Sequence, residues 1–159
     1  RTMRVIGIDP GIERVGYAIV DNLSGKERLI ESGCIRTLPT LQKAARFLQI
    51  SRELEKIIFQ TKPEKAAVET VFFAKNVKTA ATVAEARGVI LVLLEGLSID
   101  IEEFTPLEVK IALTGYGRAE KKQVGFMVEK ILGLRQKLSP DDVADAAALA
   151  IAALAKKSY

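Results

Sequence analysis

MRVIGIDPG, at residues 3–11, is a short segment with several β-branched residues that ends in an acid and a turn. The Pro-Gly pair stops a strand and turns the chain, so we predict a first strand at residues 3–9. Side chains alternate along a strand, which places Asp9 on one face with Val5 and Gly7. A strand this apolar is typical of the covered centre of a sheet, and open α/β sheets carry their sites at the carboxyl ends of such strands. Asp9 is therefore a candidate site residue, although an Asp-Pro-Gly turn by itself also explains an acid here.

The remaining elements predict a mixed α/β domain. Further strands are predicted at residues 16–20, 29–37, 65–69 and 99–104. Helices are predicted at residues 41–58, 76–97, 106–113, 121–132 and 140–156. Three strands in succession, followed by alternating helices and strands, indicate a five-stranded mixed central sheet flanked by helices.

Length and composition indicate one compact domain. A chain of 159 residues has room for one domain of ordinary size, which we assign to residues 3–157. Arg1 and Thr2 precede Met3, and we interpret them as a remnant of cloning. The longest apolar run, at residues 89–94, is too short to cross a bilayer, and a single cysteine, Cys34, excludes an internal disulfide. We therefore expect a cytoplasmic protein that does not enter a membrane.

The chain contains no histidine, which restricts the chemistry available to it. This absence excludes Ser-His-Asp and Cys-His catalysis and every imidazole metal site. A net charge of +4 favours polyanionic partners such as nucleic acid. Catalysis must therefore rest on carboxylates, lysines, hydroxyls or bound metals.

A second predicted strand also ends in an acid. Glu69 closes the strand at residues 65–69, as Asp9 closes the first strand. A glutamate at a strand end is ordinary on a protein surface, but its repetition in two central strands indicates a shared site.

The last helix contributes a third group of acids. Ser139 and Pro140 are typical of an N-cap and a first helical position, and helix capping alone would explain Asp142 and its neighbour Asp141. Asp145 lies beyond the first turn, among residues of a buried face, where an unpaired carboxylate is costly and requires a cation. Asp142 and Asp145 project from the same side of the helix, whereas Asp141, four residues before Asp145, stays open as a substitute for Asp142.

If the acids meet in one pocket, they form a metal site. Four carboxylates cannot all stay ionised unaided, and two divalent cations supply the compensating charge. Oxygen ligands alone favour hard ions, Mg2+ first with Mn2+ as a substitute. Two such ions activate a water and stabilise a leaving oxygen, which is phosphodiester hydrolysis without a protein base.

Several sequence blocks, in this order, resemble the RuvC family of Holliday-junction resolvases, which have a ribonuclease H-like fold. The blocks are IGIDPG (6–11) with GYA (16–18), VETVFFAKN (68–76), EARGV (85–89) and DDVADA (141–146). The resemblance covers essentially the whole chain. It implies a Mg2+-dependent endodeoxyribonuclease, with two metal ions per active site, that resolves four-way DNA junctions by paired symmetric nicks. The catalytic and metal-binding carboxylates that it implies are Asp9, Glu69, Asp142 and Asp145. Some family members carry a histidine at the position of Asp142.

The resemblance also implies contacts with DNA. Lys110 and Lys121 correspond to residues close to the scissile phosphate and are predicted to be catalytic. Phe72 is predicted to stack on an unpaired base at the junction centre, whereas a core position explains Phe73 better. The predicted DNA-binding residues are Phe72, Phe73, Lys75, Lys78, Arg87, Lys110, Arg118, Lys121 and Lys122. A solvated basic face is the usual alternative for scattered lysines.

A homodimer and a branch-migration motor complex of the RuvA and RuvB type are the protein partners that the family implies. The helix through residues 89–94 is apolar on all sides, which suits one face on the sheet and another on a second subunit. Complete burial of this helix within one subunit is the alternative.

Two other functions share part of the pattern. An actin-like nucleotide phosphotransferase shares the Asp-Pro-Gly turn, but it needs a second lobe and a second phosphate loop, for which this chain has no room. A junction- or DNA-binding module with a dead active site is the other alternative, and the presence of all four acids argues against it.

Overall fold

The computed structural model describes residues 2–70 and 77–156. The strands are β1 Arg4–Asp9, β2 Arg14–Leu23, β3 Lys26–Arg36, β4 Lys65–Glu69 and β5 Asp100–Phe104. The helices are α1 Lys43–Thr61, α2 Val77–Gly96, α3 Pro106–Thr114, α4 Lys121–Leu132 and α5 Asp141–Ala155. The predicted order of elements is confirmed.

One mixed sheet, with strand order β3-β2-β1-β4-β5, forms the centre of the fold. β1 runs antiparallel to β2 and parallel to β4, which is parallel to β5. Val5 packs with α3, α4 and α5 on one face, while Ile6 and Ile8 pack with α1 and α2 on the other. The central strand is therefore covered on both faces, as its apolar sequence predicts. Across residues 2–70 and 77–156, none of the helices combines the length and apolar character that a bilayer-spanning segment requires.

The β2–β3 hairpin is longer than the sequence predicts. A turn is expected across residues 22–26, but only Ser24 and Gly25 form it, both with positive φ. Such two-residue turns match the twist of a hairpin. Asp21 belongs to the added part of β2, where its fully buried carboxylate accepts two hydrogen bonds from Arg28 on β3. A partner from the next strand therefore keeps a charged residue inside the sheet.

The start of α5 differs from the prediction by one residue. The helix begins at Asp141 with Pro140 as its N-cap, after a cis Ser139–Pro140 peptide bond. Ser139 is therefore not the N-cap, and that prediction was wrong. Asp141 and Asp142 occupy the first turn, at the positive end of the helix dipole.

Candidate active site

Asp9 and Glu69 lie next to each other at the carboxyl ends of β1 and β4. These strands are adjacent and parallel, with Ile8 paired to Val68, so their terminal acids meet at one edge of the sheet. The two carboxyl groups lie close enough to affect each other's pKa, and a proton on one of them would allow a hydrogen bond between them. Burial, then repulsion from Glu69 and from the acids of α5, raises the pKa of Asp9 to about 9. Burial and repulsion from Asp145 also raise the pKa of Glu69.

Two glycines in the sheet allow α5 to bring its acids to Asp9. A β-carbon at Gly16 would overlap the carbonyl group of Asp142, and one at Gly7 would overlap the carbonyl group of Ala146. Gly16 is the partner of Asp9 in the β1–β2 pairing, so the first turn of α5 lies directly over the end of β1. The backbone of α5 can approach the sheet this closely only because both positions lack side chains.

Asp142 and Asp145 of α5 lie above the sheet and form an acidic cluster with Asp9 and Glu69. Both are half-buried, and their charges contribute to the raised pKa of Asp9. Burial raises the pKa of Asp145 itself, although Lys121 opposes the shift. The structure therefore brings together Asp9, Glu69, Asp142 and Asp145, the four acids that the sequence singles out.

Lys121 bridges two of the acids of α5. Its Nζ lies 3.4 Å from Asp145 and 3.6 Å from Asp141. Burial alone would lower the pKa of Lys121, but these carboxylates outweigh it and raise the pKa above its usual value. The cation that Asp145 needs in its apolar surroundings is thus present in the chain itself.

Arg14 is a second cation at the cluster, and the sequence interpretation missed it. Its Nε lies 3.2 Å from Asp142 Oδ2, whereas Lys121 pairs with Asp141 and Asp145. The available signal was its position two residues before Gly16, the residue that pairs with Asp9. The approach of α5 to β2, which brings Asp142 to Arg14, is a long-range contact that no local pattern encodes.

Asp141 lies on the outer side of the cluster. Its side chain is 61% exposed and pairs with Lys121 and with Lys137, whose Nζ is 3.7 Å away. Asp142 raises the pKa of Asp9, whereas Asp141 is not among the acids that do so. The geometry therefore favours Asp142 over Asp141 as the fourth member of the cluster.

A cavity of about 250 Å³ opens beside the acids, and the two predicted catalytic lysines line it. Lys110 comes from α3 and Lys121 from α4, and Glu69 and Asp145 also line the cavity. The cavity thus combines carboxylates and cations in the way that a phosphodiester site requires.

The other predicted DNA-binding residues differ in their exposure. Lys78, Arg118 and Lys122 are exposed. Arg87 is held within the protein, where it donates to the Glu69 carbonyl at 3.0 Å and to Glu103, and only 17% of its side chain is exposed. This position supports the backbone of Glu69 and leaves little surface for a DNA contact. Phe72, Phe73 and Lys75 lie outside the described residues.

The donor set of the cluster fits hard divalent cations. Its four members offer only carboxylate oxygens, the ligands that Mg2+ and Mn2+ prefer. Their burial and mutual repulsion, which raise the pKa of Asp9, are the conditions that bound cations relieve. Among the described side chains, no three acids or cysteines already enclose one metal-sized position, and Asp142 and Asp145 pair with cationic side chains instead.

Comparisons with known proteins identify the family of the chain. The family model of crossover junction endodeoxyribonuclease RuvC matches residues 5–153. A relative from Syntrophomonas wolfei, named crossover junction endodeoxyribonuclease RuvC, is 48% identical over 149 residues, which cover 94% of this chain and 87% of the relative.

Solved structures show the same fold. The RuvC structure from Thermus thermophilus superposes with a TM-score of 0.90 at 33% identity, covering 96% of this chain and 94% of that chain. The T. thermophilus RuvC complex with a Holliday junction substrate gives a TM-score of 0.89 at 34% identity, covering 94% and 92%. These matches confirm the predicted ribonuclease H-like fold. The chain belongs to the RuvC family of crossover junction endodeoxyribonucleases.

Proposed function

We propose that this chain is a Mg2+-dependent endodeoxyribonuclease that resolves four-way Holliday junctions by paired symmetric nicks. The observation that carries the proposal is the meeting of four acids, from β1, β4 and α5, beside a cavity that two lysines line. A relative with 48% identity is named for this activity, and the related T. thermophilus structure holds a Holliday junction substrate.

The four acids are the proposed ligands of two Mg2+ ions, with Mn2+ as a substitute. When bound, these ions supply an activated water and stabilise the charge that develops on the leaving oxygen. The chain prepares the site for them, since burial and the repulsion between neighbouring acids disfavour free charges on both Asp9 and Glu69. Lys110 and Lys121 line the adjacent cavity, where their charge attracts and orients a phosphodiester.

The proposal extends to a homodimer that pairs two active sites. α2 buries Ile90 and Leu94 against the sheet but exposes 74% of Val92 on its outer side. An exposed apolar helix face of this kind suits a second subunit. A two-fold dimer would present its two sites to a junction that has its own approximate two-fold symmetry. Family membership further suggests the cytoplasm as its location and a branch-migration complex of the RuvA and RuvB type as a partner.

A cleavage assay with two substrates tests the activity. In Mg2+, the protein should nick a synthetic four-way junction at symmetric positions and leave a linear duplex of the same sequence largely intact. Equal cutting of both substrates would contradict the resolvase assignment. EDTA should abolish the nicks, and Mn2+ should restore them.

Variants of the acids test the site. Asp9→Asn, Glu69→Gln and Asp145→Asn should each abolish cleavage while junction binding survives. Asp100→Asn, at an exposed acid at the start of β5, is the matched control and should cut normally. Retained turnover in any of the three variants would remove that residue from the site.

A further inference from the structure

A second groove adjoins the catalytic cavity and runs between α4 and the first turns of α5. It encloses about 540 Å³, and Lys121 and Asp145 lie at the end that meets the active site. A volume of this order is typical of sites that take one small molecule or one nucleotide. A strand whose phosphate enters the active site therefore has this groove directly beside it.

One face of α4 forms a wall of the groove. Lys122, Phe126 and Glu129 fall at steps of four and three residues, which places them on the same side of the helix. Phe126 is 59% exposed, an unusual position for a phenylalanine. Gly125 also lines the groove, and the space that its β-carbon would occupy is open. A glycine inside a helix costs about 0.5–1 kcal/mol relative to alanine. Gly125 therefore keeps this wall of the groove open but lowers the stability of α4.

The charges of the groove leave one cation available. Lys121 and Lys137 both pair with Asp141, on the α5 side. Within residues 2–70 and 77–156, Lys122 has no carboxylate at ion-pair distance. Glu129 lies seven residues further along α4, about 10 Å at the helical rise of 1.5 Å per residue. A phosphate at the Lys122 end would therefore meet an uncompensated positive charge, away from the carboxylate of Glu129.

We propose that this groove binds one nucleotide of the cut DNA strand next to the scissile phosphate, with its base stacked on Phe126 and its phosphate at Lys122. The inference rests on the proposed junction-cleaving function and adds a base-contacting residue to it. An aromatic ring beside an uncompensated lysine is the combination that single-stranded nucleic acid recognises. Because the groove is continuous with the active site, a DNA strand is its expected occupant.

A base-deletion experiment tests the stacking directly. The affinity of the metal-free protein is measured for an intact four-way junction and for junctions carrying one abasic site at each of the two nucleotides on either side of the cut. For the wild-type protein, one of these positions should weaken binding by about tenfold, the loss expected for one base–aromatic stack. Phe126→Ala should bind the intact junction about tenfold more weakly and lose nothing further at that abasic position.

Phe59→Ala is the matched control, because Phe59 is 64% exposed on α1, which covers the other face of the sheet. It should bind every junction like the wild-type protein. A Phe126→Ala protein that keeps the wild-type abasic losses would overturn the inference while leaving the proposed function intact. A wild-type protein that neither binds nor nicks junctions would contradict both this inference and the proposed function.

The phosphate contact has its own measurement. Lys122→Gln should weaken binding about threefold at low salt and reduce the slope of log affinity against log salt by about one. Lys56→Gln, at an exposed lysine of α1, should change neither quantity. An unchanged slope for Lys122→Gln would show that Lys122 does not contact a phosphate.

Discussion

Gly16 of β2 lies so close beneath the carbonyl group of Asp142 that no other residue fits there without moving α5. Gly16 is also paired with Asp9, at the end of β1. The absence of a side chain at Gly16 therefore allows the acids of α5 to lie close to Asp9. Gly7 repeats the arrangement one turn further along α5, beneath Ala146.

Gly16→Ala should therefore damage both the fold and the site. The added methyl group must displace α5 or bend β2, and overpacking of this kind costs about 1–3 kcal/mol. We expect a lower free energy of unfolding in urea and a cleavage rate that falls further than the stability loss explains, because Asp142 moves away from Asp9. Gly125→Ala is the stability control, since its methyl group meets no atom within 4 Å and should stabilise α4. Normal cleavage by Gly16→Ala would show that the site tolerates a displaced helix.

The stability of the metal-free protein should fall as pH rises from 5 to 8. The pKa of Asp9 is raised from 3.8 to about 9, so between these values the folded protein holds a proton that the unfolded chain has lost. Stability from such a group is complete below the unfolded pKa and is lost as pH rises towards the folded one. The raised pKa values of Glu69 and Asp145 act in the same direction.

Urea unfolding in EDTA at several pH values measures this effect. Asp9→Asn should flatten the pH dependence, and Mg2+ should stabilise the wild-type protein more at pH 8 than at pH 5, because cations bind the ionised acids. Hydrogen bonds from Arg28 lower the pKa of Asp21. The stability that Asp21 contributes is therefore complete above about pH 4 and is lost only at lower pH, so it stays constant between pH 5 and 8. If the free energy of unfolding of Asp9→Asn depends on pH as steeply as that of the wild-type protein, the dependence arises from other groups.

The sequence predicts the elements of the site better than their contacts. Asp9 and Glu69 are identifiable because a strand that ends in an acid is a local pattern, and parallel neighbours bring such ends together. Asp145 stands out because a carboxylate among alanines conflicts with its neighbours. These signals lie within a few residues of each acid, so they are readable without a structure.

Other features depend on contacts between distant segments. The pairing of Arg14 with Asp142 and the contact of Gly16 with α5 join β2 to residues more than 100 positions later. Nothing near Gly16 in sequence marks it as a site of helix approach rather than a flexible strand residue. Likewise, Asp21 suggests a turn by composition, and its partners on the neighbouring strands, Arg28 on β3 and Arg4 on β1, keep it in the sheet.

Asp141 and Asp142 are adjacent, and the structure separates their roles. Asp142→Asn should weaken Mn2+ binding by tenfold or more, because a ligand of the cluster loses its charge. Asp141→Asn should leave the affinity within about twofold, since its exposed carboxylate pairs with Lys121 and Lys137. Electron paramagnetic resonance of free Mn2+ gives both affinities. Equal losses in the two variants would place Asp141 in the metal site.

Arg14 competes with a cation for Asp142. Its guanidinium lies 3.2 Å from the carboxylate, so its removal should tighten Mn2+ binding by a few fold at low salt. Arg36→Gln is the matched control, because Arg36 faces Arg14 across the β2–β3 pairing and has no acid partner among the described residues. Weaker Mn2+ binding by Arg14→Gln would show instead that Arg14 holds Asp142 in the orientation that the metal needs.

Val92 tests the dimer without touching the active site. It is 74% exposed on α2, four residues before the helix ends, and a charge there would be buried in any interface that uses this face. Val92→Glu should therefore shift the protein from dimer to monomer in sedimentation experiments, while circular dichroism stays unchanged. Ile111→Glu places the same charge at a half-exposed position on α3 and should leave the dimer intact. If Val92→Glu sediments as a dimer, the interface lies elsewhere; if both variants dissociate, net charge rather than the α2 face controls assembly.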